Sequence, residues 1–421
     1  MKQQKDKTTK IAFILSQFPE QYETFLLREI VELKKTDILL YIFSLKKCKD
    51  EIIHPEARRY LQETQYSDFF FSVDLILANV YFLLRNPIRY VKILFYIISK
   101  NIASIDFLIK SLILFPISAY YARIIEKKKI DIVHGYWATF PATSAFIVSR
   151  LIDIPFSFTG HAHDIYVDTT MLIEKMRAAR FITTCTAHNK VYLLDFASSY
   201  LSKNELDTLR KKIYPNYHGI EVDRFNTSPA KFNHTQKKIR IFSVGSLLPC
   251  KGFDILIDAC ARIKKRNTFP FECVIVGGGP LMRELKAQIK NIGLEQEITI
   301  TGNLPQDKVI PYYKRADIFA LPIRLEIHWG IPNVVIEAAA AHTVVITGAL
   351  PSIPELIIDD VSGFIIPEED TEILAEKIEL LGTNPVLRKK LADNAYSIIQ
   401  EKFNRTKNAQ QLSLLFKKYT Q

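Results

Sequence analysis

The chain has 421 residues, more than one ordinary hydrophobic core organises, which predicts two domains. Its 48% hydrophobic content and modest Gly and Pro describe a globular chain and exclude a long disordered arm. A net charge of +11 suits an acidic partner: nucleic acid, an anionic membrane surface or a phosphorylated substrate. The five cysteines are odd in number and form no CxxC pair, so a reducing cytoplasm fits better than a disulfide framework. The basic opening MKQQKDKTTK leads into a short strand-like run and then FPEQYETF, which is not the pattern of a signal peptide.

In chain order, apolar runs at 11–16, 38–44, 130–134, 156–159, 181–185 and 213–215 read as strands. Helix-period segments such as 24–35 and 142–151 lie between them. This βαβ rhythm predicts a parallel sheet covered on both faces. Residues 69–84 and 91–121 are strongly apolar. The first contains Asp74, and the second is cut by Lys92, Lys100, Asp106, Lys110 and Pro116. A membrane span needs about 20 mostly apolar residues, so these read as helices with basic flanks. The region from Phe69 to Arg123 is then either a cover for the first core or a contact with an anionic membrane surface.

The polar stretch 226–238, NTSPAKFNHTQKK, reads as a linker. The rhythm restarts beyond it, with strands at 239–244, 271–276, 298–301, 318–321, 343–347 and 363–366. Helices are expected at 253–264, 281–291, 309–313, 371–381, 385–402 and 405–419. The stretch LEIHWGIPNVVIEAAAA (325–341) also reads as a helix, with Pro332 near its first turn. The expected division is therefore 1–225, a linker 226–238, a second domain 239–402 and a tail 403–421. Two doubly wound domains leave a cleft where strand ends and helix starts converge.

Four loops carry residues suited to chemistry. Val244-Gly245-Ser246-Leu247-Leu248-Pro249-Cys250-Lys251-Gly252 follows the first strand of the second domain, and its glycines allow close backbone approach beside the Lys251 charge. It is not a Walker loop, and taken alone a surface lysine beside a turn explains it better. Val276-Gly277-Gly278-Gly279-Pro280 lacks GxGxxG spacing, which disfavours a dinucleotide cofactor; it is either a plain turn or a nucleotide wall. His161-Ala162-His163-Asp164 follows a strand, and HxH there is a pattern metal-binding hydrolases use. No further ligand motif supports it at His188 or His218. His161 is then a histidine satisfied by backbone or a hydrogen-bond donor to a polar substrate. Phe18-Pro19-Glu20-Gln21-Tyr22-Glu23-Thr24 joins the first strand to a helix that Thr24 caps.

Together these segments resemble glycosyltransferase family 4, retaining sugar transferases of the GT-B fold, in the branch that builds bacterial exopolysaccharide, capsule and lipopolysaccharide. FPEQYETFLLREI, HGYWATFPATSA, PFSFTGHAHDIY and YHGIEVDRF carry the likeness in the first half. GSLLPCKGFDILIDA, VGGGPL, GIPNVVIEA and SGFIIPEEDTEILAEKI carry it, in order, in the second.

The resemblance implies an α/β GT-B chain that moves a sugar from a nucleotide-diphosphate sugar to a growing, lipid-linked or oligosaccharide acceptor with retention of configuration. It implies no cofactor or metal, no nucleic-acid partner, and work in the cytoplasm at the inner face of the membrane. The catalytic positions are His161, near the transferred sugar, Lys251 on the donor phosphates and Glu337 on the ribose. Gly245, Ser246, Gly277, Gly279, Asn303 and Leu304 would line the donor, as would Gly330, Ile331, Asn333 and Val334 at the start of the last helix. Ser246 stands where the family has an arginine, and Trp329 where it has the first glutamate of its E-x7-E motif. His342 and Val344 replace a usual glycine and proline, and Pro351 and Ser352 sit where small or glycine residues are common. Accessory roles fall to Thr24 and Asp164, to Arg324 and Glu326 as stand-ins, and to Trp329 stacked on the sugar or packed beneath the helix. The two lost charges also raise a second expectation, a chain that keeps the fold and acts as a binding partner without turnover. The tail helix is expected to cross onto the first domain through Leu412, Leu414, Leu415 and Tyr419.

Overall fold

The computed structural model describes residues 8–19, 24–47, 55–67, 72–102, 104–225, 238–325 and 330–420. The stretch read as a linker lies almost wholly outside them, as do Glu326 and Trp329. The chain forms two compact units, Met1–His218 with Arg405–Gln421, and Gly219–Asn404.

The first unit begins β1 (Thr9–Phe18), α1 (Thr24–Leu33), β2 (Ile38–Lys47), α2 (Pro55–Leu61) and β3 (Thr64–Tyr66). Three consecutive helices follow: α3 (Val73–Arg85), α4 (Pro87–Asn101) and α5 (Ile105–Lys128). Alternation then resumes with β4 (Ile132–Gly135), α6 (Phe140–Ile152), β5 (Phe156–Gly160), α7 (Ala162–Tyr166) and α8 (Leu172–Ala178). The run ends with β6 (Ile182–Thr184), α9 (Ala187–Ser198), α10 (Lys203–Lys212) and β7 (Ile213–Pro215). The seven strands are parallel in the order β3-β2-β1-β4-β5-β6-β7. Strand side chains alternate between faces, and here both faces are buried. Ile11, Phe13 and Leu15 enter one cluster, and Ala12 and Ile14 the other.

The second unit holds α11 (Val222–Phe225), β8 (Ile239–Val244), α12 (Phe253–Arg266), β9 (Phe271–Val276), α13 (Met282–Ile292), β10 (Ile298–Ile300) and α14 (Gln306–Arg315). It continues with β11 (Ile318–Leu321), α15 (Asn333–Ala340), β12 (Val344–Gly348), β13 (Phe364–Ile366), α16 (Thr371–Thr383) and α17 (Pro385–Lys402). Its parallel sheet runs β10-β9-β8-β11-β12-β13, so strand order reverses between β8 and β11. Residues 219–225 belong to this unit rather than to the first. Ile220 bridges Asn404, and the Phe225 ring lies 6.0 Å from that of Tyr313. Phe403 and Asn404 likewise stay with the second unit.

The last helix, α18 (Arg405–Thr420), packs on α1 and β1 of the first unit. Leu412 and Phe416 are fully buried there, and the Tyr419 and Tyr214 hydroxyls meet at 2.9 Å. Arg405 pairs with the buried Glu32 at 2.8 Å. Leu414, expected on the packed face, is 64% exposed; Phe416 takes its place, two residues on and on the opposite side of the helix.

The apolar stretch 91–121 falls on two helices, α4 ending at Asn101 and α5 beginning at Ile105. By length and composition alone, α5 could cross a membrane, because Pro116 sits inside it without ending it. Half of its apolar window is buried, with Leu114, Phe115, Ala119, Tyr121, Ala122 and Ile125 all in the core.

Candidate functional site

In doubly wound sheets ligands gather at strand C-termini where strand order reverses. In the second unit that point lies between β8 and β11, and the loop after β8 carries Gly245, Ser246 and Lys251. The loop is stitched to its neighbours by backbone. Gly245 N–H donates to Val276 O at 3.0 Å, Leu247 N–H to Gly278 O at 2.9 Å, and Gly277 N–H to Gly302 O at 3.0 Å. The glycines are required by this closeness. A Cβ on Gly277 would stand 1.9 Å from Gly245 O, and its φ of +152° disfavours any side chain. The Asn303 amide covers Gly278, with Nδ2 2.8 Å from where a Cβ would be. The result is a floor walled by backbone, with Asn303 over one side and Leu304 half-buried next to it.

Lys251 ends a short 3₁₀ turn, Pro249–Lys251, and its stem passes over Gly245. Partial burial pushes its pKa down from the ordinary lysine value. Gly252 closes the turn at φ +67°, and a Cβ there would strike Pro322 O, just past β11, at 2.0 Å. Lys251 is thereby fixed at the switch point. Ser246 is exposed beside it.

Arg324 does not reach toward the place left by the family's arginine. Its guanidinium accepts no such freedom: it donates to Asp254 Oδ1 at 3.1 Å and Oδ2 at 2.7 Å, to Glu369, and to Pro249 O. Hydrogen bonds to Glu369 and Asp254 raise its pKa further above the usual value. It is a positioning residue that clamps the Lys251 turn to the start of α12.

The expected helix at 325–341 begins as α15 at Asn333, with Pro332 as N-cap. Its pairing opens with Val335 N–H to Pro332 O at 3.0 Å, so the N–H groups of Asn333 and Val334 have no intrahelical partner. Ile331 is half-buried before it, and among the described residues nothing lies within 4 Å of where a Cβ on Gly330 would stand. Glu337 lies one turn in and is buried. Tyr313 OH donates to its Oε2 at 2.9 Å and Gln306 Nε2 to its Oε1 at 3.0 Å. Burial and then the Glu337 charge keep the Tyr313 hydroxyl protonated. Glu337 thus joins the glycine floor through α14, which starts three residues after Asn303. Tyr313 and Gln306 were not singled out from sequence. They are seven residues apart, two turns on one helix face, and that spacing was the available signal.

His342, where the family has glycine, does adopt a left-handed φ of +51°. Stacking on Tyr396 at 3.8 Å and a 3.3 Å contact with Asp393 hold it there. Ser352 is fully buried.

In the first unit, β4 and β5 deliver Tyr136, Trp137 and His161 side by side. The His161 ring lies 3.9 Å from Trp137, 5.3 Å from Tyr136, 5.8 Å from Phe25 and 5.2 Å from a nearly parallel His218. Both imidazoles are buried, and none of their four nitrogens meets a hydrogen-bond partner among the described residues. Burial, then His218 and His134, hold His161 well below the usual histidine range, and burial takes His218 down to about 4. Both are neutral at pH 7 and can each donate and accept one bond.

Asp164 fixes this arrangement. Its Oδ1 accepts from His161 N–H at 2.6 Å and its Oδ2 from Ala138 N–H, while the buried Lys175 donates to Ala138 O. Burial pushes Asp164 up to about 7 and Lys175 down to about 8. Both residues brace the peptide after Trp137. Among the described residues no group of three His, Cys, Asp or Glu side chains could hold a metal. Thr24 opens α1; its side chain, like Glu326 and Trp329, lies outside the described residues.

The depressed His218 pKa has a measurable consequence. Its folded value of about 4 is below the unfolded 6.5, so its contribution to stability is present above pH 6.5 and lost as pH falls through 4. The shift is worth about 3 kcal/mol. His218→Phe should therefore flatten the acid side of the melting-temperature profile; an unchanged profile would mean His218 is solvated.

Two parallel doubly wound units with these switch-point turns constitute the GT-B fold. A glycosyltransferase crystal structure from Rickettsia africae shares it, at TM-score 0.69 over 98% of this chain and 99% of that one with 18% identity. HepE of Anabaena in complex with UDP and glucose does too, at TM-score 0.63 over 97% and 100% with 16% identity. Residues 224–398 match the family glycosyl transferases group 1. The chain is 37% identical over 164 residues to the amylovoran biosynthesis glycosyltransferase AmsK of Erwinia amylovora, covering 37% of this chain and 40% of that protein. The chain spans about two fifths of the length of the first curated relatives it matches.

Proposed function

We propose that the protein transfers a sugar, with retention of configuration, from a nucleotide-diphosphate sugar to a growing lipid-linked glycan in the cytoplasm. The observation that carries this is the glycine-walled floor at the β8/β11 switch point, with Lys251 fixed over it. Leaving-group charge develops on phosphate oxygens, and a fixed ammonium with unpaired helix-start N–H groups stabilises it. In this reading Lys251 and the N–H groups of Asn333 and Val334 hold the diphosphate without a metal. Glu337, oriented by Tyr313 and Gln306, keeps lone pairs for the ribose hydroxyls. Asn303 and Leu304 flank the base, Gly277 and Gly279 admit the nucleotide, and the His161 ring nitrogens serve a sugar hydroxyl. A fold relative crystallised with UDP and glucose, and a sequence relative named for amylovoran biosynthesis, support the donor and acceptor classes.

A thermal-shift screen tests the donor site. Ligand at 100 times its dissociation constant stabilises by about 2.7 kcal/mol, so one nucleoside diphosphate should raise the melting temperature by several degrees more than its monophosphate. Equal shifts for both, or none from any diphosphate, would overturn the assignment.

A further inference from the structure

Helices ordinarily cover both faces of a strand in a doubly wound sheet. On β9 one face is left open. Cys273 and Ile275 are buried on one side, whereas Glu272 is exposed and Val274 only half-buried on the other. In the pairing with β8, Arg240 stands beside Glu272 and Phe242 beside Val274, so these four side chains share the open face. α14 covers only the β8 part of it, where the Tyr312 ring stacks on Phe242 at 5.6 Å. Between α14 and β9 lies a cavity of about 380 Å³, lined by those four strand residues and by Pro311, Tyr312 and Arg315 of α14. Arg240 and Glu272 are the second residues of their strands, and the donor floor begins past the strand ends at Gly245 and Gly277. Five residues of strand, about 16 Å, separate the two places. α14 borders both, because Tyr313, next to Tyr312, holds Glu337.

The side chains around the cavity identify the ligand. Arg240 is engaged by Asp317, whose Oδ2 accepts from its backbone N–H at 2.9 Å and from Nε at 3.5 Å. The Glu272 and Arg315 side chains make no ion pair or hydrogen bond among the described residues. With Asp317 counted, two guanidinium groups and two carboxylates meet here, so the place favours neither an anion nor a cation. What it offers is a carboxylate that accepts, a guanidinium that donates and an aromatic ring beside them. A neutral ligand rich in hydroxyls, with an apolar face, uses all three. Its hydroxyl protons go to Glu272, its hydroxyl oxygens to Arg315 and its C–H surface to Tyr312. Saccharides have that chemistry, and a polar lining on an apolar floor is the usual make-up of a small-molecule site.

We propose that the cavity between α14 and β9 is a second carbohydrate site, which holds a short stretch of neutral glycan away from the donor floor and keeps the chain on the enzyme between transfers. The ligand class rests on the glycosyltransferase reading. Sugar binding is measured without any donor, so its failure leaves that reading intact. The test is titration of the full chain with maltose, lactose and cellobiose, read by saturation-transfer NMR in the absence of nucleotide. At least one disaccharide should bind, and Glu272→Ala with Arg315→Ala should weaken it roughly tenfold or more. Lys251→Ala should leave that binding unchanged, because it alters only the donor floor. Glu272 and Arg315 are exposed, and an unchanged melting temperature would show that the double variant folds. No binding of any of the three sugars, or equal binding by the double variant, would overturn the proposal. So would tighter binding of free phenylalanine than of any disaccharide, which would assign the cavity to zwitterions.

Discussion

Phe416→Ala is expected to destabilise the protein by about 3–5 kcal/mol, the usual cost of emptying a buried aromatic site. Phe416 is fully buried, with its ring 5.8 Å from Phe13 and 5.3 Å from both His134 and Phe181. Those rings belong to β1, β4 and the residue just before β6, so a side chain near the C-terminus completes a core built from the N-terminal half. Leu414, two residues away and 64% exposed, is the internal control; Leu414→Ala should change stability by less than about 0.5 kcal/mol. Urea unfolding of both variants checks the pair. Similar small losses for both would mean that α18 is a dispensable appendage.

Lys251→Ala should weaken nucleoside diphosphate binding by roughly ten- to a hundredfold, the worth of one charge-assisted hydrogen bond of about 1.5–3 kcal/mol. The residue is suited to this role because the structure places it rather than leaving it free. Gly252 permits the turn against Pro322, Arg324 clamps Pro249, and the stem lies over Gly245. A lysine so held loses little motion on binding an anion. The fold should survive, since Gly245 and Gly277 keep their backbone contacts in the variant. Titration calorimetry with the nucleoside diphosphate reads the effect, and an unchanged dissociation constant would remove Lys251 from the site.

Much of this was legible in the sequence, for physical reasons. Strands buried on both faces must be continuous apolar runs, and residues 239–244, 271–276 and 318–321 coincide with β8, β9 and β11. The edge strand β3 has three residues, too few to show a period, and α2 before it has only seven. The glycine clusters were legible as turns. Why glycine is needed was not: Gly277 faces Gly245 O across 32 residues of sequence. Arg324 looked like a spare cation beside Ser246, because its partners Asp254 and Glu369 lie 70 and 45 residues away. His161 stood out by its HxH spacing, yet its setting among Trp137, Phe25 and His218 comes from three separate segments.

The most direct test of the central claim is release of nucleoside diphosphate from a panel of nucleotide-sugar donors, with extracted lipid-linked acceptor present. Wild-type protein should release the diphosphate from at least one donor and lengthen the acceptor by one sugar, and Lys251→Ala should lose most of that rate. A folded wild-type protein that turns over no donor in the panel would contradict the account.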